Sequence, residues 1–248
     1  MNRNPNRFLL VSILILLSVL ACKKTYQYPS EPLSVYAPTQ VGKYITYRMD
    51  SLVFVNFGTQ DTVVKYLAKD VIDDSITDNL GRPSWRVIRY LSDTTGTADW
   101  TPIETYMITA TKQSLEVVEN NMRFIKMVAP VVDGYTWSGN SYIDTKSLLS
   151  TVTYLDGWNY VYDSVGLPFA TFGELVPSSV TVHQADDSSG SLIDTVFSTR
   201  DFSEEVYGKG IGLIYKNFIH WEYQPPNVNV PVGSYSGYGI KLMMVDHN

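Results

Sequence analysis

The chain has 248 residues, a formal net charge of −6, and 44% hydrophobic but only 18% charged residues. Its 19 Lys and Arg form no concentrated basic run, which argues against a nucleic-acid binder, because phosphate neutralisation needs clustered cations. One cysteine excludes an intrachain disulfide framework.

Arg3 and Arg7 precede an apolar run from Phe8 to Ala21. That run is shorter than the roughly 20 residues a membrane-spanning helix requires, so residues 1–21 read as a signal peptide. It ends in Val19-Leu20-Ala21-Cys22, which resembles the lipobox of Gram-negative bacterial lipoproteins. The resemblance implies that Cys22 carries acyl chains such as palmitate, becomes the mature N-terminus, and tethers the protein to a lipid bilayer without spanning it. Lys23 stands where an Asp would resemble an inner-membrane retention signal, and no acidic run follows. By the same resemblance, the protein belongs on the periplasmic side of the outer membrane. Removing residues 1–21 leaves 227 residues and, with Arg3 and Arg7 gone, a formal charge of −8.

Residues 22–40 contain Pro29, Pro32 and Pro38 without sustained periodicity, which predicts an extended tether ahead of a β-rich domain over 41–248. Ile45, Tyr47 and Met49 alternate with polar residues as in a strand. The same pattern recurs over 62–71, 85–91, 105–109, 115–119 and 122–128. Asn120-Asn121 separates the last two segments and predicts a tight hairpin, because Asn tolerates positive φ. The stretch 72–84 reads as a polar connection, and 163–177 as irregular with a short helix in GLPFATFGEL. Val180 and Val182 mark a strand. Residues 186–190 read as a loop and 192–197 as another strand. From Ile211 to Tyr223 apolar residues share one parity, predicting one long strand or a hairpin near Asn217. A last strand covers 240–245. With no 12-residue helical period and many closely spaced strands, the fold class is all-β and mainly antiparallel: a curled sheet, sandwich or incomplete barrel with at most one or two short helices. The segment YGKGIGLIYKNFIHWEY also resembles a C-terminal motif of β-rich exported lipoproteins, a resemblance that implies no activity.

Gly208-Lys209-Gly210-Ile211-Gly212 lacks the Ser or Thr and the following helix of a phosphate loop and reads as glycines at a bulge or close strand approach. His183, His220 and His247 lack zinc spacing, and His220 with Glu222 reads as a solvated face. Asp70, Asp73, Asp74 and Asp78 do not fit a calcium loop. No serine-nucleophile elbow is present and no cofactor is expected. Six Asp-Ser/Thr sequences resemble acceptors for O-glycosylation in Gram-negative envelopes, at Ser51, Thr62, Ser75, Thr94, Ser164 and Thr195. The 18 tyrosines and five tryptophans suggest an aromatic binding face, with Trp158, Tyr160, Tyr215 and Trp221 as candidate ligand contacts. Together these features describe a non-enzymatic binding or structural lipoprotein of the envelope whose ligand is a glycan, a lipid or another envelope protein. The alternatives are a lipid or lipoprotein carrier with a curved-sheet cavity and a glycan hydrolase using paired acids.

Overall fold

The structure, a computed structural model, describes residues 31–190 and 196–248. The signal peptide, Cys22 and Thr195 lie outside these residues.

Period-2 alternation punctuated by Gly, Asn and Asp turns produces twelve strands. They are β1 (Tyr44–Val55), β2 (Gln60–Thr77), β3 (Pro83–Ser92), β4 (Thr101–Ala110), β5 (Ser114–Glu119), β6 (Met122–Val128), β7 (Thr136–Trp137), β8 (Tyr160–Ala170), β9 (Leu175–Ser189), β10 (Ser198–Gly208), β11 (Gly212–Gln224) and β12 (Ser234–His247). Helical geometry among the described residues is confined to two 3-10 turns, Leu33–Tyr36 and Thr153–Leu155.

All strands join one antiparallel sheet in the order β6-β5-β4-β3-β2-β1-β12-β11-β10-β9-β8-β7. Two meanders are therefore zipped together by the first and last strands, with Met49 opposite Leu242. The free edges, β6 and β7, approach each other. The Ile125 N–H donates to the Gly139 carbonyl at 2.8 Å, and Trp137 Nε1 donates to the Ile125 carbonyl at 2.8 Å. The Tyr162 hydroxyl accepts from the Val128 N–H at 2.8 Å and donates to the Val128 carbonyl at 2.6 Å. One backbone bond and these side chains thus complete the barrel where the ladder stops. Lys126 on β6 reaches Glu205 on β10 across the interior at 2.8 Å.

The hairpin at Asn120-Asn121 forms as its sequence predicts, with φ of 52° and 61° and Glu119 opposite Met122. Residues 211–223 fall in the turn after β10 and the single strand β11. Other elements correct the sequence reading. β2 runs through the polar stretch to Thr77, since Val71, Asp74 and Ser75 pair with Ile88, Arg86 and Trp85 on β3. The short helix expected near 166–175 is instead the end of β8, a turn, and the start of β9, because Leu167 to Ala170 pair with Leu175 to Ser179. Residues 186–189 extend β9; of the strand expected over 192–197, residues 192–195 lie outside the described residues, and Val196 and Phe197 precede β10.

The expected tether also packs sooner than its prolines suggest. Leu33 is 0% and Tyr36 5% exposed, and both join the main hydrophobic cluster with Ile72, Val87, Leu115 and Tyr207. The Gly210 N–H donates to the Val35 carbonyl at 2.7 Å. Gly212, at φ +121°, has no Cβ to obstruct Pro38; a Cβ there would sit 2.6 Å from Pro38 Cδ. The N-terminal segment therefore plugs one end of the barrel, beside the β10–β11 turn. A second cluster, including Ile45, Tyr47, Ala68, Val206, Ile214, Leu242 and Met244, fills the wall where the two meanders meet.

Candidate functional site

Inside the barrel, charged side chains occupy inward positions that alternation normally assigns to apolar residues. On β2 the inward series is Ala68, Asp70, Ile72; on β3 it includes Val87 and Arg89; on β6, Phe124 and Lys126; on β10, Ser203, Glu205, Tyr207. Glu205 is 1%, Lys126 5%, Asp70 5% and Arg89 8% exposed. Charges this deeply buried persist only when paired and hydrogen-bonded.

Arg89 binds Asp70 with both Nε and Nη2 at 2.7 Å, and the Tyr106 hydroxyl donates to the same carboxylate at 2.9 Å. Lys126 Nζ donates to Glu205 at 2.8 Å and lies 3.7 Å from Glu119. Lys216 Nζ lies 3.7 Å from Glu205 and 3.9 Å from Glu119. The second Glu205 oxygen accepts from Tyr207 at 2.7 Å and from Gln184 at 2.9 Å, and the Ser203 hydroxyl donates to Gln184 in turn. Burial alone would push Glu205 up. The charges of Lys126 and Lys216, with the hydrogen bonds from Lys126 and Tyr207, outweigh it and hold the carboxyl at about 2. The same balance, burial opposed by Lys216 and Lys126, holds Glu119 below the usual range.

This ionic layer divides the interior. Toward the plugged end lies a cavity of about 60 Å³, lined by Tyr36, Pro38, Ile45, Ile72, Val87 and Ile108. On the other side lies a cup of about 230 Å³ whose floor is Arg89, Glu119, Lys126, Glu205 and Lys216. Its walls are aromatic: Tyr154, Trp158, Tyr160, Phe218 and Tyr238. Trp158 lies 6.2 Å from both Tyr154 and Phe218, and Phe218 stacks on Tyr238 at 5.1 Å. Asn120 on the β5–β6 turn and Glu104 near the start of β4 stand at the rim.

Of the four aromatic residues singled out from sequence, the fold brings two together. Trp158 and Tyr160 are buried and line the cup, with the Tyr160 hydroxyl donating to Asn140 at 3.0 Å. Tyr215 and Trp221 are half-buried and contact other partners, Phe169 and Lys241 for Tyr215 and Tyr235 for Trp221. On β11 it is Lys216 and Phe218 that face the cup. His220 is paired with Asp201 on β10 at 2.7 Å and stacked on Tyr154 at 3.8 Å, rather than joined to Glu222 in solvent. The acids of 70–78 are spread along the β2–β3 hairpin, each facing an arginine: Asp70 meets Arg89, Asp73 and Asp74 meet Arg86, and Asp78 meets Arg82. Among the described residues no group of three or more His, Cys, Asp or Glu is arranged to hold a metal. Of the Asp-Ser/Thr hydroxyls, Thr62, Ser75 and Thr94 are exposed and Ser51 and Ser164 are half-buried.

The ionic floor was missed from sequence, although one signal was available. A lone charged residue between apolar neighbours of its own parity, as in Ala68-x-Asp70-x-Ile72, marks a side chain that must find its partner inside.

No protein-family model matches the chain, nor does any curated protein sequence. Among solved structures, the chain is similar to a protein from Bacteroides fragilis described as exported with a YmcC-like fold. The identity is 8%, the match covers 85% of this chain and 97% of that one, and the TM-score is 0.42. It is similar to the same degree, 8% identity and TM-score 0.42, to a protein from Parabacteroides distasonis described as a lipoprotein, over 86% of this chain and 98% of that one. Likeness at this distance carries no function across.

Proposed function

We propose that this protein is a lipid-tethered binding protein of the bacterial envelope. In this reading Cys22 is acylated, the barrel stands on the periplasmic side of the outer membrane, and the cup between the ionic layer and the β5–β6 turn takes a small polar ligand, most simply one unit of a glycan. The observation that carries the reading is the cup itself: aromatic walls for a ring face above a floor of hydrogen-bonding charges. A cavity of about 230 Å³ exceeds the roughly 150 Å³ that accommodates a benzene ring, so it suits a ligand the size of a monosaccharide.

The carrier alternative is less well supported, because an acyl chain needs an apolar lumen and the interior here is crossed by buried charges. The hydrolase alternative needs one protonated carboxyl at neutral pH beside one ionised partner. Glu119 and Glu205 are both held ionised by the lysines between them, which leaves Glu104, raised by burial, as the one candidate acid in the cup.

Titration of monosaccharides into the purified domain, followed by tryptophan fluorescence, tests the reading. A saturable change with at least one sugar is expected, with Trp158→Leu abolishing binding. Absence of any saturable change across neutral, amino and acidic sugars overturns glycan capture. Membrane release on Cys22→Ala tests the tether separately.

A further inference from the structure

We infer that the cup selects a ligand carrying a positive charge, an ammonium group on a ring or chain of monosaccharide size. The inference deepens the proposed binding role and rests on the same cavity.

The charges of the layer do not balance. Its three cations are Arg89, Lys126 and Lys216, and three carboxylates match them: Asp70 holds Arg89 in two hydrogen bonds, while Glu205 and Glu119 share the two lysines. Glu104 is the fourth carboxylate. It accepts one long hydrogen bond, from Arg89 Nη1 at 3.4 Å, the nitrogen that Asp70 leaves free, and burial raises its carboxyl above the usual carboxylate value. Glu104 lines the upper cavity with its side chain 23% exposed, on the ligand's side of the layer. The other charged groups at this end, Asp201 and His220, face each other at 2.7 Å and add no excess positive charge.

The walls favour the same sign. Aromatic faces attract cations through their quadrupoles, and rings surrounding one space recognise ammonium groups, including quaternary ones. Here Tyr154, Trp158, Phe218 and Tyr238 form a continuous wall with neighbouring centroids 5.1 to 6.2 Å apart, in the same cavity as a carboxylate held by one long hydrogen bond. An anionic ligand would meet both the ring faces and Glu104 unfavourably. A neutral one would leave Glu104 half-desolvated with only its long bond to Arg89.

Calorimetric titration of the intact domain with glucosamine, glucose, glucuronate and choline tests the inference. Glucosamine should bind at least tenfold more tightly than glucose, glucuronate should be the weakest sugar, and in Glu104→Gln the affinities for glucosamine and glucose should converge. Equal affinity for glucose and glucosamine, or a preference surviving in Glu104→Gln, overturns cation selection but leaves glycan capture standing. Choline binding without any sugar binding keeps cation selection and removes the glycan reading. Failure of both choline and glucosamine to bind overturns the inference. Wild-type and variant melting curves confirm that the comparison is between folded proteins.

Discussion

Glu205 is the residue on which the interior turns. Its carboxylate is buried beside Lys126 and takes further hydrogen bonds from Tyr207 and Gln184. Removing one member of such a pair leaves an uncompensated charge and costs about 3–5 kcal/mol, whereas replacing both with apolar groups of similar volume can be neutral or stabilising. Lys126→Met alone should therefore lower unfolding stability by that amount in urea, and Lys126→Met with Glu205→Leu should recover much of it. A double variant as unstable as the single would show that the pair does not act as a unit. The sign of the pH dependence follows from the depressed carboxyl. Its contribution is complete above the unfolded-state value of about 4.3 and fades as pH falls through that value toward about 2. Wild-type stability should drop across this acid window, and the double variant should lose less there.

At the scale of elements, the seam between β6 and β7 is the point where sheet pairing is thinnest. β7 contributes only Thr136 and Trp137 to the ladder, so closure depends on side chains from β7 and β8 reaching β6. Tyr162 does most of this bridging, with one hydroxyl satisfying both the N–H and the carbonyl of Val128. Tyr162→Phe keeps the buried ring and removes both bonds. A loss of about 1–3 kcal/mol is expected from the unsatisfied backbone groups, together with faster amide exchange at Val128 than at Leu115 or Met127. Unchanged exchange at Val128 would mean that the edge is held by other contacts. The hairpins, in contrast, were legible in advance wherever the turn chemistry was local. Asn120-Asn121 sits between two alternating segments, and nothing distant is needed to place it. β2 and the β8–β9 hairpin were misread because their polar ends become strand only by pairing with partners such as Arg86 and Val176.

The whole molecule has two unlike ends. The segment Leu33–Tyr36 and the β10–β11 turn close one, while the cup opens at the other, beside the β5–β6 turn. A tether running back from Glu31 to an acylated Cys22 would leave from the closed end, so the mouth would face away from the bilayer. The 12 residues of β1 separate the ends by up to about 40 Å at roughly 3.3 Å per residue. A fluorophore at Lys209 on the β10–β11 turn should accordingly be quenched by lipid-borne quenchers more than one at Phe57 on the β1–β2 turn, at the far end of β1. The reverse order would show that the mouth lies against the membrane.

Near neighbours along the chain are enough to specify the all-β class, the Asn120-Asn121 turn with its positive φ, and the apolar run with its cysteine. Tertiary structure alone decided which parity of each strand faces inward and which charges meet. On β11 the apolar parity holding Tyr215 and Trp221 lies away from the cup, while Lys216 points into it, because Glu119 and Glu205 wait there from strands 97 and 11 residues away in the chain. Alternation reveals that a strand has two faces. It does not reveal the partners, contributed by remote strands, that make burying a charged face favourable.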